Sequence, residues 1–160
     1  MSTSRRRKEL ERAVGFEVGR ELGARGILFH QAIANIAGVS VTDLKCLDYV
    51  DRMGDATAGD LARLTGLTTG AITAAIDRLE KAGLARRERS ESDRRKVFIR
   101  LSQSPAMARI APFYEALARE SAQMISRYSI AELETIEDFC KRCIEIMGRL
   151  TEEIRASADK

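Results

Sequence analysis

Apolar residues recur every three or four positions along most of the chain, which is the period of amphipathic α-helices. In the first part of the sequence, Leu10, Val14, Val18 and Leu22 keep this spacing and predict a helix over residues 9–38. The chain is therefore expected to open on a long helix with one apolar side.

Gly15, Gly19 and Gly23 form a second stripe on this predicted helix, again at four-residue spacing. Each glycine in a helix interior costs about 1 kcal/mol relative to alanine. Two explanations fit the pattern: the stripe lets a second backbone approach closely, as at a dimer crossing, or the helix kinks or frays there.

Three shorter helices are predicted over residues 40–54, 57–66 and 68–83. Each begins with a serine or threonine whose side-chain oxygen can accept a hydrogen bond from the first helical turn, and each ends at a glycine. Apolar residues between these signals keep the helical period, so each helix presents one apolar face.

The period changes after the last of these helices. Leu84–Arg89 is predicted as a strand and Ser90–Arg95 as a polar turn. Val97, Ile99 and Leu101 then occupy alternate positions, which is the period of a second strand. The pattern predicts a small β-hairpin.

Two further helices are predicted after the hairpin. Ser104 and Pro105 are typical of the N-cap and first position of a helix, and Ser129 begins a sequence that resembles a capping box. On the last helix, apolar residues from Leu133 to Ile154 share one face that has no obvious partner in so small a chain. This face predicts a dimer formed through the terminal helices.

Composition supports a soluble, helix-rich protein, because hydrophobic residues make up 44% and charged residues 32% of the 160 positions. No stretch approaches the roughly 20 apolar residues of a membrane span, and the first eight residues (MSTSRRRK) lack the apolar run of a secretory signal. Three cysteines, an odd number, favour reduced thiols over a disulfide framework. We therefore expect a cytoplasmic protein.

Positive charge is concentrated in the hairpin. Residues 84–101 hold seven Lys/Arg against three Asp/Glu, whereas residues 102–160 hold eight against ten. This distribution is typical of a localised contact with a polyanion.

The two helices joined at Leu64-Thr65-Gly66-Leu67 form a helix-turn-helix pattern, and the second of them leads into the basic hairpin. Such a helix can lie in the major groove of DNA while the hairpin reaches the adjacent minor groove. Small and hydroxylated residues at the start of the helix, Thr68 to Ala74, would allow close approach to base edges. The other explanation of these residues is a well-capped helix N-terminus.

The segment over residues 61–102 resembles the DNA-binding core of the MarR family of bacterial and archaeal regulators. The family pattern is met at Leu61-Ala62, Asp77-Arg78-Leu79-Glu80, Gly83-Leu84, Arg87 and Asp93-Arg94-Arg95. The resemblance implies a homodimeric repressor, bound to a pseudo-palindromic operator and released by a small-molecule ligand. The chain departs from the family after the second strand, where Leu101–Pro105 replaces the usual Leu-Thr, spacer and Gly.

By similarity, Arg95 is the minor-groove residue and Asp93 holds the tip of the wing. The full set of predicted DNA-binding residues is Thr57, Thr68, Thr69, Gly70, Ala71, Thr73, Ala74, Arg78, Arg87, Asp93, Arg94, Arg95 and Lys96.

The expected fold is mainly α with a small β-hairpin wing, a winged helix-turn-helix flanked by N- and C-terminal dimerisation helices. Residues 1–8 are expected to form a flexible basic N-terminus, and residues 9–38 a dimerisation helix. Residues 40–101 would form the DNA-binding lobe, and residues 102–160 the C-terminal dimerisation helices.

A ligand site is predicted in a cleft beside the second helix, for a small aromatic or phenolic effector. The residues assigned to it are His30, Tyr49, Met53, Phe113 and Tyr114. An apolar cleft with a few polar groups suits such a ligand, although ordinary core residues would give the same pattern.

Two other functions stay open at this stage. A winged helix can serve as a protein-interaction module without specific DNA binding. Cys140 and Cys143, at CxxC spacing, could make a thiol-based redox-sensing regulator, but they fit the apolar face of a helix better. A zinc site would need two more ligands, for which only Cys46 and His30 are present. No phosphate loop, nucleophile elbow or paired carboxylates point to an enzyme, and no cofactor or metal is expected.

Overall fold

A computed structural model describes residues 3–90, 92–93 and 95–158 of the protein. In chain order the elements are α1 (Thr3–Phe16), a π-helical segment (Glu17–Leu22), α2 (Gly23–Ala37), α3 (Val41–Met53), β1 (Ala56–Thr57), α4 (Ala58–Thr65), α5 (Thr69–Lys81), β2 (Ala85–Arg89), β3 (Val97–Leu101), α6 (Pro105–Ile125) and α7 (Ile130–Ala158). The chain forms two compact units, Met1–Phe113 and Tyr114–Lys160. The expected fold class, mainly α with a small winged sheet, is confirmed.

Side-chain caps begin the three central helices at the residues where the sequence predicts them. The Asp43 backbone N–H donates to Ser40 Oγ (3.0 Å), and the Ser40 backbone N–H donates to the Asp43 carboxylate (3.1 Å). Thr57 and Asp60 make the same reciprocal pair at the start of α4, and Thr68 Oγ1 accepts a hydrogen bond from the first turn of α5. These caps satisfy backbone donors that a helix leaves unpaired, so the predicted helix starts are confirmed.

Two glycines make the tight turns on either side of α5. Gly66 and Gly83 have φ angles of 71° and 72°, in the left-handed region that penalises a Cβ atom. The Gly66 N–H donates to Ala62 O (2.8 Å) and closes α4. Because the turns are short, α4, α5 and β2 follow one another with little connecting chain.

The predicted hairpin is confirmed and forms part of a three-stranded antiparallel sheet in the order β1-β3-β2. β2 pairs with β3, where Arg87 lies opposite Ile99. β1 pairs with the other edge of β3, with Ala56 opposite Ile99 and Thr57 opposite Phe98. The sequence pattern gave no sign of β1, because two residues are too few to show a period of two.

The core of the first unit is built around one face of α5. Ile72, Ile76 and Leu79 are at most 1% exposed. Burial of each such side chain contributes about 1.5–3 kcal/mol, so this face fixes which side of α5 is left to solvent. The other buried apolar residues are Ile33, Ala34, Leu44, Cys46, Leu47, Val50, Ala56, Leu61, Ala75, Leu84, Ala85, Ile99 and Ile110.

The N-terminal segment is helical from its first described residue. Residues 3–8 form the first turns of α1, and residues 1–2 of the expected flexible N-terminus lie outside the described residues. Ion pairs at four-residue spacing support these turns, Arg5 with Glu9 (3.2 Å) and Arg7 with Glu11 (2.8 Å). The expected flexibility of residues 1–8 stays a prediction.

The glycine stripe lies in a helix that continues from α1 into α2. Gly15 belongs to α1, Gly19 to the π-helical segment and Gly23 to α2. No atom of the described chain lies within 4 Å of the position that a Cβ would take at any of the three, beyond the helix's own neighbouring backbone. The stripe therefore faces open space within this chain.

The second unit contains the end of α6 and the whole of α7. Ser129 and Glu132 form a capping box at the predicted start of α7 (Ser129 N–H to Glu132 Oε2, 2.8 Å). The apolar side of α7 is open to solvent in the single chain, with Ile144 70% and Ile154 69% exposed.

Within the described ranges, no single helix is both long and apolar enough to cross a membrane. The helices Thr3–Ala37 and Val41–Met53 meet that criterion only as a pair, with a bend of 95° between them.

Candidate nucleic-acid interface

The solvent-facing side of α5 carries most of the predicted base-contacting residues. Ile72, Ala75 and Ile76 point into the core, whereas the residues between and before them are exposed. The exposed set is Thr68, Thr69, Gly70, Ala71, Thr73 and Ala74. Their side chains are short, and the first turn contains no carboxylate, so this end of the helix presents a shallow surface and a positive dipole end.

The turn before α5 is held by its own side chains. Thr65 Oγ1 donates to Leu61 O (2.7 Å) and accepts a hydrogen bond from the Leu67 backbone N–H (3.2 Å). Thr68 then caps α5 from an extended backbone conformation. The start of α5 is therefore a rigid feature of the lobe.

Thr57, at the junction of β1 and α4, uses its hydroxyl within the protein. Thr57 Oγ1 donates to Asp60 Oδ2 (2.7 Å) and accepts from the Asp60 backbone N–H (3.2 Å). These bonds hold the pKa of Asp60 below its ordinary value.

The tip of the wing is a loop closed by local hydrogen bonds. The Ser90 N–H donates to Lys96 O (3.0 Å), and the Lys96 N–H donates to Asp93 O (2.9 Å). The Asp93 carboxylate accepts the Arg95 backbone N–H (3.0 Å), which places Asp93 at the centre of the turn. Arg95 and Lys96 are exposed there, and no carboxylate of the described residues pairs with either; Arg94 lies outside those residues.

Arg78 extends from the exposed side of α5 to a buried carboxylate on α3. Its Nε and Nη2 donate to Asp43 Oδ2 (2.9 Å) and Oδ1 (2.7 Å), a bidentate pair. Asp43 is fully buried. Burial alone would raise the pKa of Asp43, but the hydrogen bonds from Arg78 and Ser40 outweigh it and hold the pKa below its ordinary value.

Arg87, on β2, pairs with two carboxylates near the end of α5. Its Nη2 donates to Asp77 Oδ1 (2.6 Å), its Nη1 donates to Glu80 Oε2, and its backbone N–H donates to Glu80 Oε1 (2.7 Å). These partners, Asp77 first, raise the pKa of Arg87. The guanidinium therefore joins the wing to α5.

The five residues predicted to bind a ligand are spread over both units. His30 Nδ1 lies 2.7 Å from Gly26 O, and the ring of Tyr49 lies 4.8 Å from Lys45 Nζ. Met53 and Phe113 are 40% and 42% exposed, and Tyr114 belongs to the second unit.

The first unit has an open groove of about 1290 Å³ beside the end of α3, lined by other residues. They are Val50, Asp51, Gly54, Arg86, Arg100, Leu101, Ser102, Gln103, Ser104, Pro105, Met107, Ala108 and Ala111. Sequence reasoning missed this groove because its walls come from α3, the sheet and α6, which are far apart along the chain.

The described residues contain no group of three or more His, Cys, Asp or Glu that could hold a metal ion. Cys46 is buried, and burial raises the pKa of its thiol, with the nearby Asp43 charge adding to the effect. Cys140 is exposed and Cys143 half-buried, both as free thiols on α7.

A helix-turn-helix that leads into a small sheet with a cationic tip defines the winged helix-turn-helix class. Residues 37–96 match the model of the MarR family. Over 155 residues the chain is 39% identical to YcgE of Bacillus subtilis (strain 168), an uncharacterized HTH-type transcriptional regulator, and the match covers 97% of this chain and 99% of the relative. The chain therefore belongs to the MarR family, and the resemblance is confirmed.

Solved structures share the fold. A MarR family protein from Bacillus stearothermophilus is 24% identical, with a TM-score of 0.60 over 92% of this chain and 99% of that one. Streptococcus pneumoniae FabT, in complex with DNA, is 19% identical, with a TM-score of 0.61 over 83% of this chain and 96% of FabT.

Removing either partner of the Asp43–Arg78 pair is expected to lower the free energy of unfolding by unequal amounts. Asp43→Ala leaves Arg78 half-exposed and able to hydrate, so the cost is that of charge-assisted hydrogen bonds, about 1.5–3 kcal/mol. Arg78→Ala leaves a buried carboxylate without its cation, so it should cost more. Urea unfolding at pH 7 measures the loss in free energy of unfolding for both variants, and Arg119→Ala, which removes an exposed cation, is the control. Equal losses in the two variants would contradict the pairing.

The contribution of Asp43 to the free energy of unfolding depends on pH in a direction that follows from its lowered pKa. Because the pKa of Asp43 is lowered on folding, its contribution to stability is present above the ordinary value of 3.8 and is lost as the pH falls through the folded pKa. Arg78→Ala removes the cation that lowers the pKa of Asp43, so the folded-state pKa should lie higher in the variant than in the wild type. The cost of Arg78→Ala should therefore shrink as the pH falls through the pKa that Asp43 has in the variant.

Proposed function

We propose that this protein is a homodimeric, DNA-binding transcriptional regulator of the cytoplasm, a repressor that a small-molecule ligand releases from a pseudo-palindromic operator. The observation that carries the proposal is the exposed face of α5, whose first turns carry short side chains and no carboxylate. Next to this face lies a wing whose tip presents Arg95 and Lys96. The likeness to FabT, whose structure contains DNA, supports this use of the fold. No enzymatic reaction is proposed.

On DNA, α5 would lie in the major groove. Thr69 and Thr73 would approach base edges or thymine methyl groups, with Gly70, Ala71 and Ala74 allowing close contact. Arg95 would enter the minor groove, and Lys96 and Arg94 would contact phosphates. The wing would therefore supply much of the affinity and α5 most of the sequence preference.

Selection of bound duplexes from a random pool is expected to recover a pseudo-palindrome with half-sites about 10 base pairs apart. On that operator, Arg95→Ala should weaken binding about 5- to 150-fold, the equivalent of 1–3 kcal/mol. Lys96→Ala should weaken all duplexes alike and lower the salt slope by about 1, and changes at Thr69 or Thr73 should relax sequence preference.

Arg119→Ala, which removes an exposed cation from the second unit, is the control and should change neither affinity nor slope. Full-strength binding by Arg95→Ala would exclude the wing from the interface. Failure of the wild type to bind any duplex would favour a protein-interaction module.

Dimerisation is proposed through the terminal helices. α7 exposes Ile144 and Ile154, and the helix that runs from α1 through the π-helical segment into α2 exposes Leu10, Leu22 and Ile27 at 47%, 67% and 66%. So much apolar surface on one chain is typical of an interface. The glycine stripe of this helix is open to a second backbone.

The double variant Ile144→Glu/Ile154→Glu is expected to sediment as a monomer and to lose tight operator binding, because each carboxylate would be buried without a partner in the dimer. Removal of residues 129–160 should have the same effect. Arg142→Glu, on the opposite face of α7, is the matched control. A double variant that stays dimeric at micromolar concentration would refute this interface.

Release by a ligand is proposed for a small aromatic or phenolic acid contacting His30 and Tyr49. Only a ligand that prefers the DNA-free conformation can release DNA, and a typical coupling of about 1–3 kcal/mol would weaken binding 5- to 150-fold.

Operator titration with and without a panel of phenolic and aromatic acids tests this proposal. The response should be lost in Tyr49→Ala and His30→Ala and kept in the control Tyr128→Ala. If Met107→Trp, which enlarges a side chain lining the groove, abolishes the response while Tyr49→Ala keeps it, the ligand binds in the groove instead. No response to any compound would refute ligand release by this chemical class.

A further inference from the structure

We propose that Arg78 and Arg87 are positioning residues, which hold the end of α5 against α3 and against the wing, and that they do not contact phosphates. This inference rests on the proposed DNA-binding function and assigns a different role to two of the predicted contact residues.

The last turns of α5 are held from two sides. Asp77 and Glu80, three residues apart, share the side of the helix that Arg87 of β2 reaches. Arg78 points to α3, where it makes the bidentate pair with Asp43. The α5 residues of these two pairs, Asp77, Arg78 and Glu80, lie within one turn of the helix, so one end of α5 is joined both to β2 and to α3.

The pair on the α3 side is well anchored. Asp43 is fully buried and also accepts the Ser40 backbone N–H, so its carboxylate is fixed to the start of α3. A guanidinium that left Asp43 for a phosphate would leave a buried charge unpaired, which is costly. Arg78 therefore gains little by moving to DNA.

The pair on the wing side acts on the backbone as well as on a side chain. Glu80 accepts both the Arg87 backbone N–H (2.7 Å) and a guanidinium N–H. Among the described strands β2 lies at the edge of the sheet and pairs with β3 alone, and the chain between β2 and α5 is a turn at Gly83. The two carboxylates thus fix the angle between the wing and α5, on which simultaneous contact with both grooves depends.

Local charge also argues against phosphate contacts here. Arg87 is accompanied by Asp77 and Glu80, one cation and two carboxylates, so the cluster carries net charge −1. Arg78 and Asp43 sum to zero. The net negative charge of the first cluster repels a phosphate, and the neutral second pair does not attract one by net charge. The wing tip, with Arg95 and Lys96, does attract phosphate.

The two roles predict changes of opposite sign in the operator affinity of one double variant. If Arg87 bound phosphate, Asp77→Asn/Glu80→Gln would free the guanidinium, remove two repelling charges and strengthen operator binding. If Arg87 positions the wing, the same double variant should weaken operator binding about tenfold and leave non-specific duplex binding unchanged or tighter. The specificity ratio therefore falls, which a simple loss of folded protein would not cause.

Arg87→Gln completes a double-mutant cycle. A positioning role predicts a similar loss in the wild type, no further loss in the Asp77→Asn/Glu80→Gln background, and a salt slope unchanged to within a few tenths. A phosphate contact predicts the full loss in both backgrounds and a slope lower by about 1. Asp48→Asn, which removes a carboxylate from the exposed Lys45–Asp48 pair, is the control and should not weaken binding.

Arg78 is tested on the same operator. Arg78→Gln should reduce the specificity ratio without lowering the salt slope, and Asp43→Asn should do the same although it removes a negative charge. Tighter operator binding by Asp43→Asn, or a slope lower by about 1 in Arg78→Gln, would overturn the positioning role of Arg78.

A measurement without DNA tests the positioning of the wing separately from DNA binding. Backbone ¹⁵N relaxation of the full chain should show lower order parameters in β2 and β3, and faster exchange of the Arg87 amide, in Asp77→Asn/Glu80→Gln than in the wild type. Unchanged wing dynamics would overturn the inference. Failure of the wild type to bind any duplex, together with a loosened wing, would refute the DNA-binding function alone.

Discussion

The buried carboxylate of Asp43 constrains the whole lobe, because a charge without solvent must be paired where it stands. Arg78 supplies the cation from α5, and Ser40 supplies a backbone donor from the start of α3. Neither contact tolerates much displacement, since hydrogen bonds weaken steeply with distance and angle. The position of α5 along and around its axis is therefore set by this pair together with the apolar face of Ile72, Ile76 and Leu79.

Four arginines of the lobe show two contrasting kinds of surroundings. Arg78, Arg87 and Arg100 are bound to carboxylates of neighbouring elements, whereas Arg95 lies in a tip where the described residues offer it none. The three paired arginines join neighbouring elements, and their partners offset their charge. The charge of Arg95 is not offset in this way, which explains how a chain with a net charge of only +3 can still present a cationic wing tip.

Features that depend on neighbours in the sequence could be predicted, and features that depend on distant partners could not. The caps at Ser40, Thr57 and Thr68 and the turn at Gly66 need only residues within one helical turn, so the sequence identified them. The Asp43–Arg78 pair joins residues 35 positions apart, and β1 exists only through its pairing with β3.

The functional site divides in the same way. The exposure of Thr69 and Thr73 followed from helical period, since the apolar residues of α5 define the opposite face. The sequence did not show that Arg87 is bound to α5, because the sequence of a hairpin does not distinguish a free basic residue from one paired with a distant carboxylate. The groove beside α3 was also missed, since its lining combines three segments.

α3 connects the two elements that are proposed to read DNA, α5 and the winged sheet, to the rest of the lobe. Its first turn holds α5 through Asp43 and Arg78, and its last residues lead to Gly54 O and Asp55, which bind Arg100 of β3 at 3.0 Å and 2.6 Å. A displacement of α3 therefore acts on α5 and on the sheet at once. Tyr49 lies on α3, and Val50 and Asp51 of α3 line the groove, so a ligand at either place contacts the same helix. A ligand that binds only one position of α3 would have the differential affinity needed to move α5 and the sheet together, without touching the proposed DNA-binding surface.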